Sequence, residues 1–423
     1  MLRFVRSWSA ISRSLPQFAP ARRPHARRRF TLERLEERSL LSTIPLTVNT
    51  LTVNTLTDDP SGPTTGQMTL RDAINQADAD TANQYVIKLA VKGTIDLTSA
   101  LPALDNNITI KGPGALKLTI QNEQFIIDKG NTVNLSNMTI TKGGIYSEGN
   151  LTVRGIDFIR NSQGAIWNGD GLGMGSTLTV TDCDFFDNGD DGGTIYSAAQ
   201  SLTVTDSIFL DNDGGGIQSS NYNTNTLTGD VFIGNSPRAV LAYGVWTIND
   251  CVFVDNSGFA GGAIYISFGV MTVNNSIFIN NTATGGFGFD GFGGAIYNGP
   301  AGTLTVRDST FIGNSAAYYG AIGTQDSGET YNGSICTLTV SDSMFIDNSA
   351  SVAGGAVGTG YGNVENDGYQ VPSFQIAADV SISNNTFIGT SAVSGGAIWN
   401  GYATGTLITT NDLFFDNTGG DIN

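Results

Sequence analysis

The residues best suited to chemistry in this 423-residue chain are the aspartates of its C-terminal two thirds, where Asp182 and Asp184, Asp190 and Asp191, and Asp211 and Asp213 form close pairs. Two carboxylates about 6.5–9.5 Å apart would give an inverting glycosidase its acid and its base. However, an Asp recurs beside a Phe in nearly every copy of one short phrase, at Asp157, Asp184, Asp206, Asp230, Asp250, Asp308, Asp342 and Asp412. A residue that returns in every copy suits turn chemistry better than one active site. After residue 142 the only cations are Arg154, Arg160, Arg238 and Arg307, at different points of the phrase, so they offer no basic row for proton abstraction. The single histidine is His25, and Cys183, Cys251 and Cys336 make no CxxC or Cys/His pair. That pattern excludes a zinc site and a disulfide scaffold.

The turns Asp187-Asn188-Gly189-Asp190-Asp191-Gly192-Gly193 and Asp211-Asn212-Asp213-Gly214 are rich in oxygen ligands. They match neither an EF-hand nor a nonapeptide Ca²⁺ repeat, so solvated Asx turns are favoured over calcium, and no metal or cofactor is expected. Aromatic residues give a better binding hint. Tyr146, Trp167, Tyr196, Tyr265, Tyr297 and Trp399 each follow a recurring Ile. If that Ile points inward, strand alternation turns the aromatic outward, where ring faces could hold sugar rings. Stacking along a ladder that shields the strands is the plainer alternative. The row is interrupted at Gln218, Leu241, Gly323 and Gly358.

What must position these residues is a repeat. From residue 150 a phrase returns: Leu-Thr-Val, a polar step, Phe-x-x-Asn, then Gly-Gly-Ala-Ile. Its Phe falls at Phe158, Phe185, Phe209, Phe232, Phe253, Phe278, Phe311, Phe345, Phe387 and Phe414. Its Asn falls at Asn161, Asn188, Asn212, Asn235, Asn256, Asn281, Asn314, Asn348 and Asn417, with Thr390 in the ninth copy. Each member is a short β-branched run punctuated by Gly, Asn, Asp and Ser. Three short strands in about 21–27 residues is the arithmetic of one coil of a parallel β-helix, whereas a propeller blade needs about 40–50. Equivalent residues then stack in ladders about 4.8 Å apart. Phe and Ile should fill the core, and the Asn should hold a bend. Residues 143–423 should make about ten to twelve coils. The longer intervals before Phe311, Phe345 and Phe387 imply edge loops at 285–293, 325–335 and 358–372.

Phe-x-x-Asn alternating with Gly-Gly-Ala-Ile resembles the passenger repeats of the polymorphic outer membrane proteins of chlamydiae and the related right-handed parallel β-helix repeat proteins of planctomycetes. The resemblance implies a pectin-lyase-like solenoid and surface adhesion. Those chlamydial proteins end in a membrane β-barrel; here the sequence closes on Asp421-Ile422-Asn423 within a repeat, so self-anchoring by a barrel is not expected. Upstream, Thr69-Leu70-Arg71-Asp72-Ala73-Ile74-Asn75-Gln76-Ala77-Asp78 resembles the CSLREA-type N-terminal region of bacterial β-helix proteins, with Met68 and Thr69 in place of its Cys and Ser. Leu70, Ala73, Ile74 and Ala77 fall at helical spacing, so this segment reads as a helix sealing the open end of the core. Strands are expected over 46–57, Val86–Leu89, Gly93–Leu97, Ile108–Gly112 and Leu116–Ile120.

Charge divides the chain in three. Residues 1–50 hold ten Arg against three Glu, residues 51–142 are nearly balanced, and residues 143–423 hold four Arg against 26 acids. A basic leader on an acidic body suits an export segment on a mature domain. The leader's Leu32-Glu33-Arg34-Leu35-Glu36-Glu37-Arg38-Ser39-Leu40-Leu41-Ser42 resembles the LEPR-XLL segment of planctomycete exported proteins, which implies export. The expected organisation is a leader over 1–45, a cap with the first coils over 46–142, and repeats over 143–423. The net charge of -17 disfavours nucleic acid, and no apolar run is long enough for a membrane helix. The expected fold class is therefore all-β, a right-handed parallel β-helix with a short capping helix. The expected function is an exported cell-surface, outer-membrane-associated or extracellular adhesin or structural binding module for a polysaccharide or protein ligand. The alternative is a polysaccharide-active lyase or glycoside hydrolase on the same fold.

Overall fold

A computed structural model describes residues 48–169, 175–189, 192–220, 224–286, 291–299, 301–324, 336–360, 378–401 and 406–423. The leader, Asp190, Asp191 and the centres of the three expected edge loops lie outside these residues. The chain winds as a parallel β-helix with three faces. The first face carries the Leu-Thr-Val strands, from Val48–Val53 to Thr406–Thr410. The second carries the Phe strands, thirteen of them among the described residues, from Gly93–Asp96 to Leu413–Phe415. The third carries the Gly-Gly-Ala-Ile strands, from Gln124–Ile127 to Ile398–Asn400. In two coils the third-face strand runs unbroken into the first face, over Val240–Asn249 and Ile264–Asn274.

Thirteen rungs on the second face exceed the ten Phe residues, because three earlier coils use Ile. Ile95 pairs in register with Ile120, Ile120 with Ile140, and Ile140 with Phe158. From Phe158 onward each ring stacks on the next, with centroids 4.5–5.2 Å apart and planes within 10°. Parallel in-register pairing brings identical side chains face to face, so one apolar residue type extends as a continuous column. From Phe158 to Phe387 these rings are fully buried.

The repeat also dictates its own corners. The residue three before each of the ten Phe and the residue two after it have φ between 50° and 70°. Asp, Asn and Gly fill nineteen of these twenty places, and Arg160 fills the other. Asp and Asn tolerate the left-handed region better than most residues, and Gly has no Cβ to clash there. Asp182, Asp206, Asp250, Asp308 and Asp342 hold the first corner; Asp187, Asp211, Asp255, Asp347 and Asp416 hold the second.

Between the second corner and the third face runs the asparagine ladder. Asn161, Asn188, Asn212, Asn235, Asn256, Asn281, Asn314 and Asn348 are at most 1% exposed. The Nδ2 of each of the first seven donates to Oδ1 of the next at 2.8–3.0 Å. That Oδ1 also accepts the backbone N–H of the Asn before it, and the second amide hydrogen goes to the carbonyl of the preceding rung, as in Asn256 to Phe232 O at 3.0 Å. Every polar atom of an interior amide is thus used, which is what allows it to be buried. In the ninth copy the Thr390 hydroxyl takes over, donating to Asn417 Oδ1 at 2.7 Å.

A second ladder occupies the position two before each Phe. Here the backbone N–H donates to the side chain one coil on: Cys183 to Ser207, Ser207 to Asp230, Cys251 to Ser276, then Ser276, Ser309, Ser343, Asn385 and Asp412 in order. Ile156 fills the first place in the core without an acceptor, whereas Ser207, Asp230, Ser276, Ser309, Ser343, Asn385 and Asp412 each serve as acceptor in this ladder. Cys183 and Cys251 are three rungs apart in it, and all three cysteines are free and buried.

Helix α1 (Leu70–Asp78) closes the N-terminal end. Thr69 and Asp72 form a capping box, and Leu70, Ala73, Ile74 and Ala77 are buried on the core. The Arg71 guanidinium bridges Asp58 at 2.9 Å and donates to the carbonyls of Ser99 and Ala100, tying the cap to the early coils. The strand expected over 46–57 ends at Val53, the other early strands begin and end within two residues of expectation, and Leu116 lies outside its strand, 98% exposed.

Candidate functional site

The third face carries the aromatic row. Register places Tyr146, Trp167, Tyr196, Gln218, Leu241, Tyr265, Tyr297, Gly323, Gly358 and Trp399 on ten successive rungs, preceded by Ile126. The Ile or Val before each points into the core. The six aromatic residues thus lie in one line, but they form two blocks with different geometry.

In the first block Tyr146 and Trp167 lie parallel, with centroids 4.4 Å apart and planes 2° apart; Trp167 and Tyr196 follow at 5.6 Å and 13°. These rings cover one another's faces. Half-buried, they offer their edges to a ligand. Tyr146 also donates to Glu148 at 3.1 Å. Burial and this hydrogen bond raise its phenol pKa above the ordinary value.

The second block is built differently. Tyr265 and Tyr297 are tilted by 50° at 5.2 Å, and Tyr297, expected outward, is only 9% exposed because Phe292 lies 5.9 Å away. The two glycine interruptions are filled by a residue that the repeat phrase does not reveal. Tyr319-Gly320-Ala321-Ile322 is a Gly-Gly-Ala-Ile copy with Tyr in the first glycine place. Gly261, Gly293, Gly354 and Gly395 occupy the same place with φ of 60–69°, and Tyr319 adopts φ 64° as well. Its ring is fully buried and lies against the backbone where side chains on Gly323 and Gly358 would project. It stacks toward Trp399 at 6.0 Å, and its hydroxyl donates to Gly360 O. The available sequence clue was Ala-Ile at the right distance beyond Asn314. A second disguised copy is Pro237-Arg238-Ala239-Val240, whose Arg238 lies 5.3 Å from the Tyr265 ring centroid in a cation–π contact.

The carboxylates do not converge on this row. Of the eight Asp that recur beside a Phe, Asp206, Asp250, Asp308 and Asp342 are corner residues, Asp230 and Asp412 belong to the second ladder, and Asp157 and Asp184 begin second-face strands. Arg154 and Arg160 are exposed partners of Asp182 and Asp187, at 3.3 and 2.8 Å. Burial, then the charges of Asp187 and Asp213, raise the Asp211 pKa. Among the described residues no three His, Cys, Asp or Glu side chains group as a metal site would need.

A family model agrees with the fold over part of the chain. Residues 105–248 match the family described as Right handed beta helix region. The structure is similar to the A-module of mannuronan C-5 epimerase AlgE6 from Azotobacter vinelandii, at 12% identity and a TM-score of 0.48, covering 82% of this chain and 94% of that one. It is also similar to the catalytic unit of a GH87 alpha-1,3-glucanase from Streptomyces thermodiastaticus strain HF3-3, at 18% identity and a TM-score of 0.46, covering 83% and 66%. The Agl-KA catalytic domain is a third, at 14% identity and a TM-score of 0.42, covering 83% and 64%. No curated protein matches the sequence.

Proposed function

We propose that this chain is an exported binding module, an adhesin-type β-helix of the cell surface or surroundings, and that it holds carbohydrate along the third face. The observation that supports this most directly is the alignment of Tyr146, Trp167, Tyr196, Tyr265 and Trp399 in one register on the solenoid, with the buried Tyr297 in the same line. Aromatic edges and phenol hydroxyls repeated from rung to rung suit an extended ligand with its own repeat. A binding role is further supported by the ten Asp residues at the left-handed corners, whose recurrence has a structural cause. The test is incubation of the purified chain with a panel of polysaccharides, scoring retention and release of reducing ends. Retention without cleavage is expected, weakened in Trp167→Ala and Trp399→Ala. Cleavage by the wild-type chain would replace this reading with that of an enzyme.

A further inference from the structure

The first face carries an array with no evident role in the fold. Thr177, Ser201 and Thr224 are in register, as are Thr179, Thr203 and Thr226, and Thr181, Thr205 and Thr228. Alternate residues of a strand share one side, and the intervening Leu178, Val180, Leu202, Val204 and Leu227 are buried. The nine hydroxyl residues therefore form a three-by-three grid facing outward. Its middle column continues without interruption from Thr152 to Thr339, eight rungs of threonine, and then to Ser381. Of the nine grid hydroxyls, the Thr177 hydroxyl donates to Asn150 at 3.0 Å, and the other eight bond no group of the chain among the described residues.

Strand propensity alone does not account for this. Val, Ile and Tyr suit an outward strand position as well as Thr. Acid is also excluded: the outward positions of the eight strands from Asn150–Arg154 to Cys336–Ser341 contain no acid, although residues 143–423 contain 26, and the two charges they do carry, Arg154 and Arg307, lie outside the grid. The grid itself is thus an uncharged lattice of hydroxyl and methyl groups. Its three rungs carry only hydroxyl residues, and no aromatic ring in the grid offers a sugar a stacking partner. Such a surface selects an uncharged ligand that is itself periodic in two directions.

The dimensions identify one. The grid repeats every ~4.8 Å along the solenoid and every ~6.7 Å along a strand. Hydrogen-bonded oxygens lie about 2.75 Å apart; in a tetrahedral water network this places second neighbours about 4.5 Å apart and sets an axial repeat of about 7.3 Å. The mismatch per step is about 0.3 Å in one direction and about 0.6 Å in the other, which over three rungs stays well below one spacing. We propose that the threonine face binds the surface of ice, the grid over Thr177–Thr228 being its best-matched part. The hydroxyls would bond lattice water and the methyl groups would sit between lattice positions.

The full chain is frozen slowly onto a cold probe, and its partition between ice and liquid is measured. The wild-type chain should be taken up into ice. Thr203→Tyr and Thr226→Lys, which break the grid from its outward side, should be excluded like an inert protein, each with an unchanged urea midpoint. Asp308→Asn, at a corner beside the second face, should be taken up like the wild type. Either grid variant that folds suffices to test the site. Exclusion of the wild-type chain from ice would overturn the proposal, including the case where Thr203→Tyr instead loses retention on insoluble polysaccharide. Full uptake of the folded grid variants would overturn it equally.

Discussion

The ring of Tyr319 occupies the space that a side chain on Gly358 would need, one rung along the solenoid. The tyrosine accepts a left-handed backbone that costs about 1–2 kcal/mol for an L-residue, and the contacts of its buried ring offset that cost. Tyr319→Ala should therefore lower stability by about 3–5 kcal/mol, as for a large buried aromatic. Gly358→Ala should also destabilise, by displacing the ring. Urea midpoints with tryptophan fluorescence as a local readout, through Trp399, would check both. An unchanged midpoint in both variants would show that the ring is not packed there.

The asparagine ladder predicts a difference between an interior and a terminal member. Asn256→Ala leaves the buried partners of a fully bonded amide unsatisfied and should cost about 1–3 kcal/mol. Asn417 lies in the final described coil and is partly exposed, so Asn417→Ala should cost less. The comparison is read from paired urea unfolding curves with equal slopes. Equal, negligible shifts would remove the ladder from the account of stability.

Asp230 gives the molecule a pH dependence of unusual sign. It is fully buried, and burial raises its pKa well above the ordinary carboxylate value, although Ser207 and Thr228 donate backbone hydrogen bonds to it. A raised folded pKa means the folded chain holds the proton more tightly than the unfolded chain. This contribution is fully present below the unfolded pKa and is lost as pH rises through the folded one. Asp230→Asn, matching Asn385 in the same ladder, should stabilise at pH 7 by at least about 1 kcal/mol and gain little at pH 3. Thermal melts of both proteins across that range test it; parallel pH curves would count against a buried ionised carboxylate.

Thiol chemistry should be silent in the folded state. Burial pushes the Cys183 thiol up to about 12 and raises that of Cys251 well above the ordinary thiol value. Reaction needs the thiolate and access to it. Maleimide labelling under native conditions should be slow at both and become complete in urea. A Cys183–Cys251 disulfide, found by mass spectrometry of the oxidised protein, would contradict three rungs of separation.

Helix α1 should behave as a lid whose anchor is its N-cap. Thr69→Ala removes one half of the capping box and should cost about 0.5–2 kcal/mol. Proteolysis or hydrogen exchange should show the loss first in the cap, because contacts in a solenoid are between neighbouring coils.

The sequence alone determined whatever depends on a coil and its immediate neighbours. Phe-x-x-Asn at intervals of 21–42 residues specified the second face, its stacked rings and the adjoining ladder, because parallel in-register stacking lays identical residues on one another. Alternation likewise placed the six aromatic residues in one row. Only the tertiary structure decided how that row is completed. Tyr319 was hidden because a bulky residue in a left-handed glycine place defies local preference, and only a ring from the neighbouring position explains Gly323 and Gly358. The first three second-face rungs lie outside the Phe phrase because Ile fills the core where Phe does later. Asp230 read as a turn residue by type, yet its rung buries it within a ladder of backbone donors. The burial of Tyr297 likewise depends on Phe292, whose position is set by the stacking of coils rather than by the pattern within one strand.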